Sequence, residues 1–254
     1  VAIEEDQLTL FYQPEVLLAT GQLVGLEALV RWNRPGHGLV QPGAFLPAAV
    51  ATGLIVPLGR WVLRQACRQA VAWSAEESGA APVRISVNLA DSEFAEPRFY
   101  EELAQIIEET GVDATRLQFD ISEQDLVTGL GVAEVIPAIK ALGIALAVDR
   151  FGAGASAITK LPDLTVDTLK IDRLFVQQLP RNAQYRGVVQ AMVSLAHVLD
   201  VSVTAEGIET ADQLAWVRGM ECDRAQGFFL GPPLPASAVA RYRTRQRDRA
   251  ARAG

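Results

Sequence analysis

The chain has 254 residues, half of them hydrophobic, enough for one large domain with a substantial core. That length is too great for a small sandwich and comfortable for an eight-fold α/β barrel, typically about 250 residues. A formal net charge of -7 argues against a dedicated nucleic-acid binder, DNA included, and leaves room only for a local basic pocket.

Cys67 and Cys222 lie far apart without metal-ligand spacing and read as two reduced cytosolic thiols. No uninterrupted apolar run reaches the roughly 20 residues of a membrane helix, and no signal peptide is evident. The fragment is therefore read as cytoplasmic, with no membrane segment. It opens on Val1, as a piece cut from a longer protein would.

Leu8–Val16 and Leu23–Trp32 read as strands around the turn signal Ala19-Thr20-Gly21-Gln22, which predicts an opening antiparallel hairpin. Inside the second run, Glu27 stands among apolar and aromatic neighbours. Ionised carboxylates are rarely buried without a partner or a metal. Helical patterns then fit 43–53, 57–75, 98–110, 131–142, 183–199, 210–219 and 235–245. Short β-rich runs fit Val83–Leu89, Leu117–Ser122, Ile144–Val148, Thr168–Ile171, Val201–Ala205 and the surroundings of Ala225. Alternation of β and α predicts a mostly parallel sheet, and eight strand candidates predict closure into a barrel. Residues 1–240 are read as the domain and 241–254 as a basic tail. There Arg241, Arg243, Arg245, Arg247, Arg249 and Arg252 suit a fraying helix or solvated tail better than an anionic partner.

Each strand candidate ends in a polar residue of a particular kind: Glu27, Asn88, Glu123, Asp149, Lys170, Glu206 and Gln226. In a parallel α/β barrel the C-terminal strand ends share one face, and that face carries the chemistry. Several carboxylates and an amide oxygen are hard ligands that suit Mg²⁺ or Mn²⁺. Crowded acids repel unless a cation or proton lies among them. Lys170 fits a role in orienting water or screening phosphate, so the set points to metal-assisted hydrolysis, most naturally at phosphorus. A lone acid at a strand end is more often a helix N-cap or a loop salt bridge, and Asp172 and Glu209 fit that simpler description.

The residues also resemble a family. Tyr12-Gln-Pro14, Glu27-Ala-Leu-Val-Arg-Trp32, Ser86-Val-Asn-Leu89, Ile121-Ser-Glu-Gln124, Val148-Asp-Arg-Phe-Gly-Ala-Gly154, Leu169-Lys-Ile-Asp172, Ala205-Glu-Gly-Ile-Glu-Thr210, Gln226-Gly227 and Gly231-Pro-Pro-Leu-Pro235 follow one another as in the EAL domain. That module hydrolyses the bacterial second messenger cyclic di-GMP to linear pGpG. The resemblance implies a TIM-like (β/α)8 barrel with one antiparallel strand near the N-terminus, and two divalent cations. By position the first cation falls to Glu27, Asn88, Glu123 and Asp149, and the second to Asp149, residue 150 and Glu206. Lys170 would hold the water, Glu206 would help deprotonate it, and Gln226 would support the site. Arg31 would face the ligand's phosphate. Gln13 and Leu29 would line the groove, with Asp172 and Glu209 as further ligand contacts. The family commonly follows a GGDEF or sensor domain, and its loop after the fifth strand couples metal binding to dimerisation, so the resemblance implies a homodimer only as far as that loop is kept.

That loop departs from the pattern. The usual Asp-Asp-Phe-Gly-Thr-Gly and Tyr-Ser-Ser read here as Asp149-Arg-Phe-Gly-Ala-Gly154 and Ala155-Ser156-Ala157. A guanidinium offers no acceptor and cannot ligate a cation. Arg150 is expected to put its own charge in the second cation's place, paired with Asp149 and Glu206, and to weaken or abolish hydrolysis; the alternative is that it points outwards and the metal survives on the other ligands. Arg34 and Val50 replace a usual histidine and glutamate. Three functions follow as alternatives: a phosphodiesterase, a receptor that binds cyclic di-GMP without cutting it, and a protein-binding scaffold.

Overall fold

The computed structural model describes residues 2–76, 82–128, 132–153 and 158–253. The opening hairpin forms as expected: β1 (Leu8–Leu17) and β2 (Leu23–Arg34) pair antiparallel, with Gln13 opposite Glu27. Gly21, at φ 71°, supplies the left-handed residue of the turn. A short β3 (Gly38–Val40) then pairs back onto the end of β2.

The pattern then alternates as the sequence predicts. α1 (Leu46–Ala51) and α2 (Ile55–Glu76) lead to β4 (Arg84–Leu89). α3 (Asp91–Phe94) and α4 (Phe99–Thr110) lead to β5 (Leu117–Ser122). α5 (Glu123–Thr128) and α6 (Val132–Ala141) lead to β6 (Ala145–Phe151) and β7 (Thr168–Ile171). α7 (Arg173–Gln178) and α8 (Ala183–Val198) lead to β8 (Ser202–Ala205), then α9 (Ala211–Gly219) to β9 (Arg224–Gln226). β10 (Leu234–Pro235) pairs with β1, and α10 (Ala236–Ala253) closes the chain.

Eight strands close the barrel. β2, β4, β5, β6, β7, β8 and β9 follow one another in parallel, and β1 bridges β2 and β9 antiparallel to both. This is the TIM-like barrel with one inverted strand. In β5, Leu117, Phe119 and Ile121 alternate with Gln118, Asp120 and Ser122. Period two therefore sends one set to the helices and the other to the barrel axis. The axis is polar. Gln118 Nε2 donates to Ser86 Oγ (3.1 Å) and Asp120 Oδ1 (2.9 Å), and Thr204 Oγ1 donates to Glu15 Oε1 (2.6 Å). Gly25 makes room for Glu15, since a Cβ there would lie 2.5 Å from its Oε2.

The region expected as one helix over 43–53 is a 3-10 turn followed by α1, with Pro47 in the first helical turn where no N–H is needed. The expected tail is helical in backbone through Ala253, and the Tyr242 hydroxyl anchors α10 by donating to the Leu230 carbonyl at 3.0 Å. The side chains of Arg247, Arg249 and Arg252 lie outside the described residues. Among the described residues no helix is long and apolar enough to cross a membrane.

α2 buries Leu58, Val62, Leu63, Ala66, Cys67, Ala70 and Trp73 at helical spacing. Gly59 interrupts that helix for a packing reason: a Cβ would fall 1.8 Å from Glu93 Oε1. Gly59→Ala is expected to destabilise by about 1–3 kcal/mol despite the better helix former, measurable by urea unfolding. Burial pushes the Glu93 carboxyl up to about 7, against the opposing pull of the Ala90 N–H and Arg60. An unfolded glutamate titrates at about 4.3. Between those values the folded chain binds more protons, so this residue removes stability as pH rises and the loss is complete above about 7. Glu93→Gln is expected to equal the wild type near pH 4 and to exceed it at pH 8 by on the order of 3 kcal/mol, read from paired thermal melts.

Candidate active site at the C-terminal mouth of the barrel

β2, β4, β5, β6, β7, β8 and β9 each deliver one polar side chain to a cluster centred on Lys170. The Lys170 ammonium, 1% exposed as a residue, lies 2.8 Å from Glu206, 2.9 Å from Asp120, 3.6 Å from Glu27 and 4.0 Å from Asp149. Glu27 is held on both oxygens: Asn88 Nδ2 donates to Oε1 at 2.8 Å, and Gln226 Nε2 donates to Oε2 at 2.5 Å. Glu27, Asn88, Asp149, Lys170, Glu206 and Gln226 are thus brought together from six strands or strand ends.

One ammonium faces four carboxylates, so the cluster is short of positive charge. Burial lowers the charge preference of Lys170, but Asp120, Glu206, Glu27 and Asp149 together hold its pKa well above the ordinary lysine range. Burial raises Glu27, yet Lys170 and the hydrogen bonds from Asn88, Gln226 and Lys170 bring it below the usual carboxylate value. Asp120 is pushed up to about 7, first by burial and then by the charges of Glu27 and Asp149, with Lys170 opposing. Glu206 is raised well above the ordinary range by burial, against Lys170, with Asp149 and Glu27 adding repulsion.

The strand-five acid in this cluster is Asp120, not Glu123. Glu123 follows the strand and breaks its alternation, and its Oε2 accepts the Gly152 N–H at 3.0 Å, tying down the loop after β6. Arg150 also differs from expectation. Its side chain is 63% exposed, its Nε lies 3.8 Å from Asp149 Oδ2, and Glu206 is taken by Lys170. A register shift between Val148 and Phe151 and a φ of 54° turn Arg150 out of the strand's phase. Its backbone N–H donates to Asp149 Oδ1 at 2.8 Å, so both oxygens of Asp149 face this one residue. Residues 154–157, with the altered Ala155 and Ala157, lie outside the described residues.

Two cavities flank the cluster and share Glu27, Leu29, Asp149 and Arg150. One, about 500 Å³, is also lined by Gln13, Asp172, Glu206, Glu209, Gln226 and the exposed Phe228. The other, about 440 Å³, runs over Leu46, Val50, Ile55, Leu58 and Val62 beside Asn88, Glu93 and Asp120. Together they form a two-lobed groove across the mouth, apolar on one side and polar on the other. Gln13, Leu29, Asp172 and Glu209 all line it. Asp172 is also the N-cap of α7, accepting the Leu174 N–H at 2.7 Å. Arg31 is set back from both lobes, buried, with its guanidinium 5.6 Å from the Phe11 ring and donating to the Val30 carbonyl.

Among the described residues no three carboxylate, imidazole or thiol groups are already spaced around a metal-sized gap; the acids are gathered on Lys170 instead. The donor chemistry nevertheless fits a hard divalent cation. Glu27, Asp120, Asp149 and the Asn88 amide oxygen are hard ligands, and their repulsion asks for more positive charge than Lys170 supplies.

The EAL domain family matches residues 1–233. The bifunctional diguanylate cyclase/cyclic di-GMP phosphodiesterase MucR of Pseudomonas aeruginosa is 38% identical over 239 residues, covering 94% of this chain and 35% of that protein. The cyclic di-GMP phosphodiesterase NbdA of the same organism is 36% identical over 242 residues, covering 95% of this chain and 31% of that protein. The chain thus spans about a third of the length of these curated relatives. Among solved structures, the PaMucR phosphodiesterase in complex with c-di-GMP superposes with a TM-score of 0.88 at 36% identity, covering 94% of this chain and 96% of that one. The EAL domain of Mycobacterium smegmatis DcpA gives 0.81 at 31% identity, with 94% and 98% covered. With a closed barrel, a polar mouth and this match over nearly its whole length, the chain belongs to the EAL domain family.

Proposed function

We propose that this domain binds cyclic di-GMP across the two-lobed groove and hydrolyses it to pGpG weakly or not at all. The observation that carries the reading is the setting of Asp149, whose two oxygens are engaged by the Arg150 N–H and faced by its guanidinium. The shape of the groove supports the ligand: two cavities on either side of one acidic cluster suit a ligand with two bases flanking its phosphates.

Glu27, Asn88, Asp120 and Asp149 would hold one Mg²⁺ or Mn²⁺. A second ion would need Asp149, Glu206 and an acceptor at position 150, and arginine provides none. When bound, such an ion polarises a phosphoryl oxygen and acidifies a water. The chain's own residues do the rest. Lys170 donates to a water or a phosphate oxygen from a fixed place. Glu206, 2.8 Å from Lys170, is the group placed to accept the water's proton. Gln226 and Asn88 hold Glu27 in one orientation. Leu29 and the apolar lobe exclude water from one half of the ligand.

A metal-free receptor that passes the signal to a neighbouring GGDEF or sensor domain is the second reading, favoured by the same Asp149 geometry. Calorimetric titration with Mn²⁺ distinguishes the site's capacity. The proposal expects a single ion per chain, and two ions of similar affinity would contradict it.

A further inference from the structure

The opposite end of the barrel carries a second polar opening. A cavity of about 230 Å³ there is lined by Arg84, Arg116, Arg224, Asp113, Thr115 and Val83, among others. Arg84 opens β4 two and four residues before Ser86 and Asn88, and Arg224 opens β9 two residues before Gln226. Both therefore share the phase of the side chains on the barrel axis, but at its N-terminal mouth.

Among the described residues, the acids near this cavity are each bonded to another group. The Asp113 carboxylate is committed locally, accepting the Thr115 N–H at 3.0 Å and its hydroxyl at 2.7 Å. Arg224 reaches Glu15 only at 3.9 Å, and Glu15 is already bonded to Thr204. Arg116 donates to Ser74 Oγ and to the Val83 carbonyl. Among the described residues no carboxylate comes within 4.0 Å of Arg84. Asp167 and Glu15 are the acids whose charges reach it, and Asp167 is itself bonded to Lys140 at 2.6 and 2.7 Å. Burial, and then the like charge of Arg224, disfavour the Arg84 guanidinium. A guanidinium cannot relieve this by losing a proton. It needs an anion.

We propose that the N-terminal mouth of the barrel is a phosphate site, held by Arg84 and Arg224 with Arg116 and Thr115 at its rim. Two forked cations suit a doubly charged tetrahedral oxyanion, which accepts from both at once. The volume admits inorganic phosphate or a small phosphomonoester. The site lies at the far end of the barrel from the acidic cluster and stands independently of the reading given to that cluster.

The test is a titration of the domain in EDTA, with inorganic phosphate against chloride at matched ionic strength, read as thermal stability and by calorimetry. A parallel arm uses ribose 5-phosphate, which tells a site for free phosphate from one that admits a phosphomonoester. A saturable response at one phosphate per chain is expected in the wild type, in at least the inorganic arm. Arg84→Gln and Arg224→Gln should each weaken it by about tenfold or more. Arg84→Gln should melt no lower than the wild type in phosphate-free buffer, because a repulsion has been removed. Arg150→Ala, at the other mouth, should keep the response. No saturable heat in the wild type overturns the proposal without any variant. So does a response that survives both arginine substitutions, or one that Arg150→Ala abolishes.

Discussion

Replacing Arg150 by aspartate is expected to raise Mn²⁺-dependent formation of pGpG by on the order of 10²-fold, equivalent to about 3 kcal/mol of transition-state stabilisation. The substitution acts in two ways. It supplies a carboxylate beside Asp149, and it removes the guanidinium that faces Asp149 Oδ2 at 3.8 Å. The backbone should welcome the change. Arg150 sits at φ 54°, a left-handed conformation in which aspartate is more at ease than a longer side chain. The variant should therefore fold at least as well as the wild type, so that a failure to gain activity reads on chemistry rather than stability. Turnover measured at saturating Mn²⁺ checks it. An unchanged rate in a well-folded variant would place the limit in the rest of the loop, with Ala155 and Ala157.

Lys170→Met is expected to cost the most. The lysine is the hub of four carboxylates, and removing one partner of a buried ionic cluster typically costs about 3–5 kcal/mol. In metal-free buffer at pH 8 the variant should lose stability on that order. The acids around it would then take up protons, as Asp120 at about 7 and the raised Glu206 already tend to do. The folded state then binds more protons than the unfolded, so lowering the pH should return much of the lost stability. In the Arg150→Asp background, Lys170→Met should also reduce turnover by about 10²-fold or more, because the water loses its fixed donor. Thermal melts at pH 5 and pH 8, with and without Mn²⁺, separate the two effects. Equal losses at both pH values would mean that Lys170 only fills space.

Most of this architecture was legible in the chain. The opening hairpin, the repeated β then α spacing and the polar strand ends followed from alternation and turn chemistry, and the barrel follows from eight strands that must bury both edges. Asp120 was the omission. Phe119-Asp-Ile-Ser-Glu123 offers two acids, and the one that lies beside Lys170 is Asp120. The alternation of Leu117, Phe119 and Ile121 with Gln118, Asp120 and Ser122 held the signal, because it puts Asp120 in phase with the axis and leaves Glu123 beyond the strand. The direction of Arg150 was not readable. A left-handed residue and a register shift interrupt period two there, and no local pattern announces either. The small elements, β3, α3, α5 and α7, are shorter than the window in which periodicity can be counted. The arginines of the N-terminal mouth read as ordinary strand starts, because only closure of the barrel sets Arg84 beside Arg224.

The most direct test sets binding beside turnover in the same protein. Cyclic di-GMP is titrated into the wild-type domain in EDTA and in Mn²⁺, and pGpG is quantified from the Mn²⁺ arm. Saturable binding with little or no pGpG is the predicted result, with activity appearing in Arg150→Asp. Rapid, complete conversion by the wild type would contradict it, and would mean that an arginine beside Asp149 leaves the metal chemistry of this site intact.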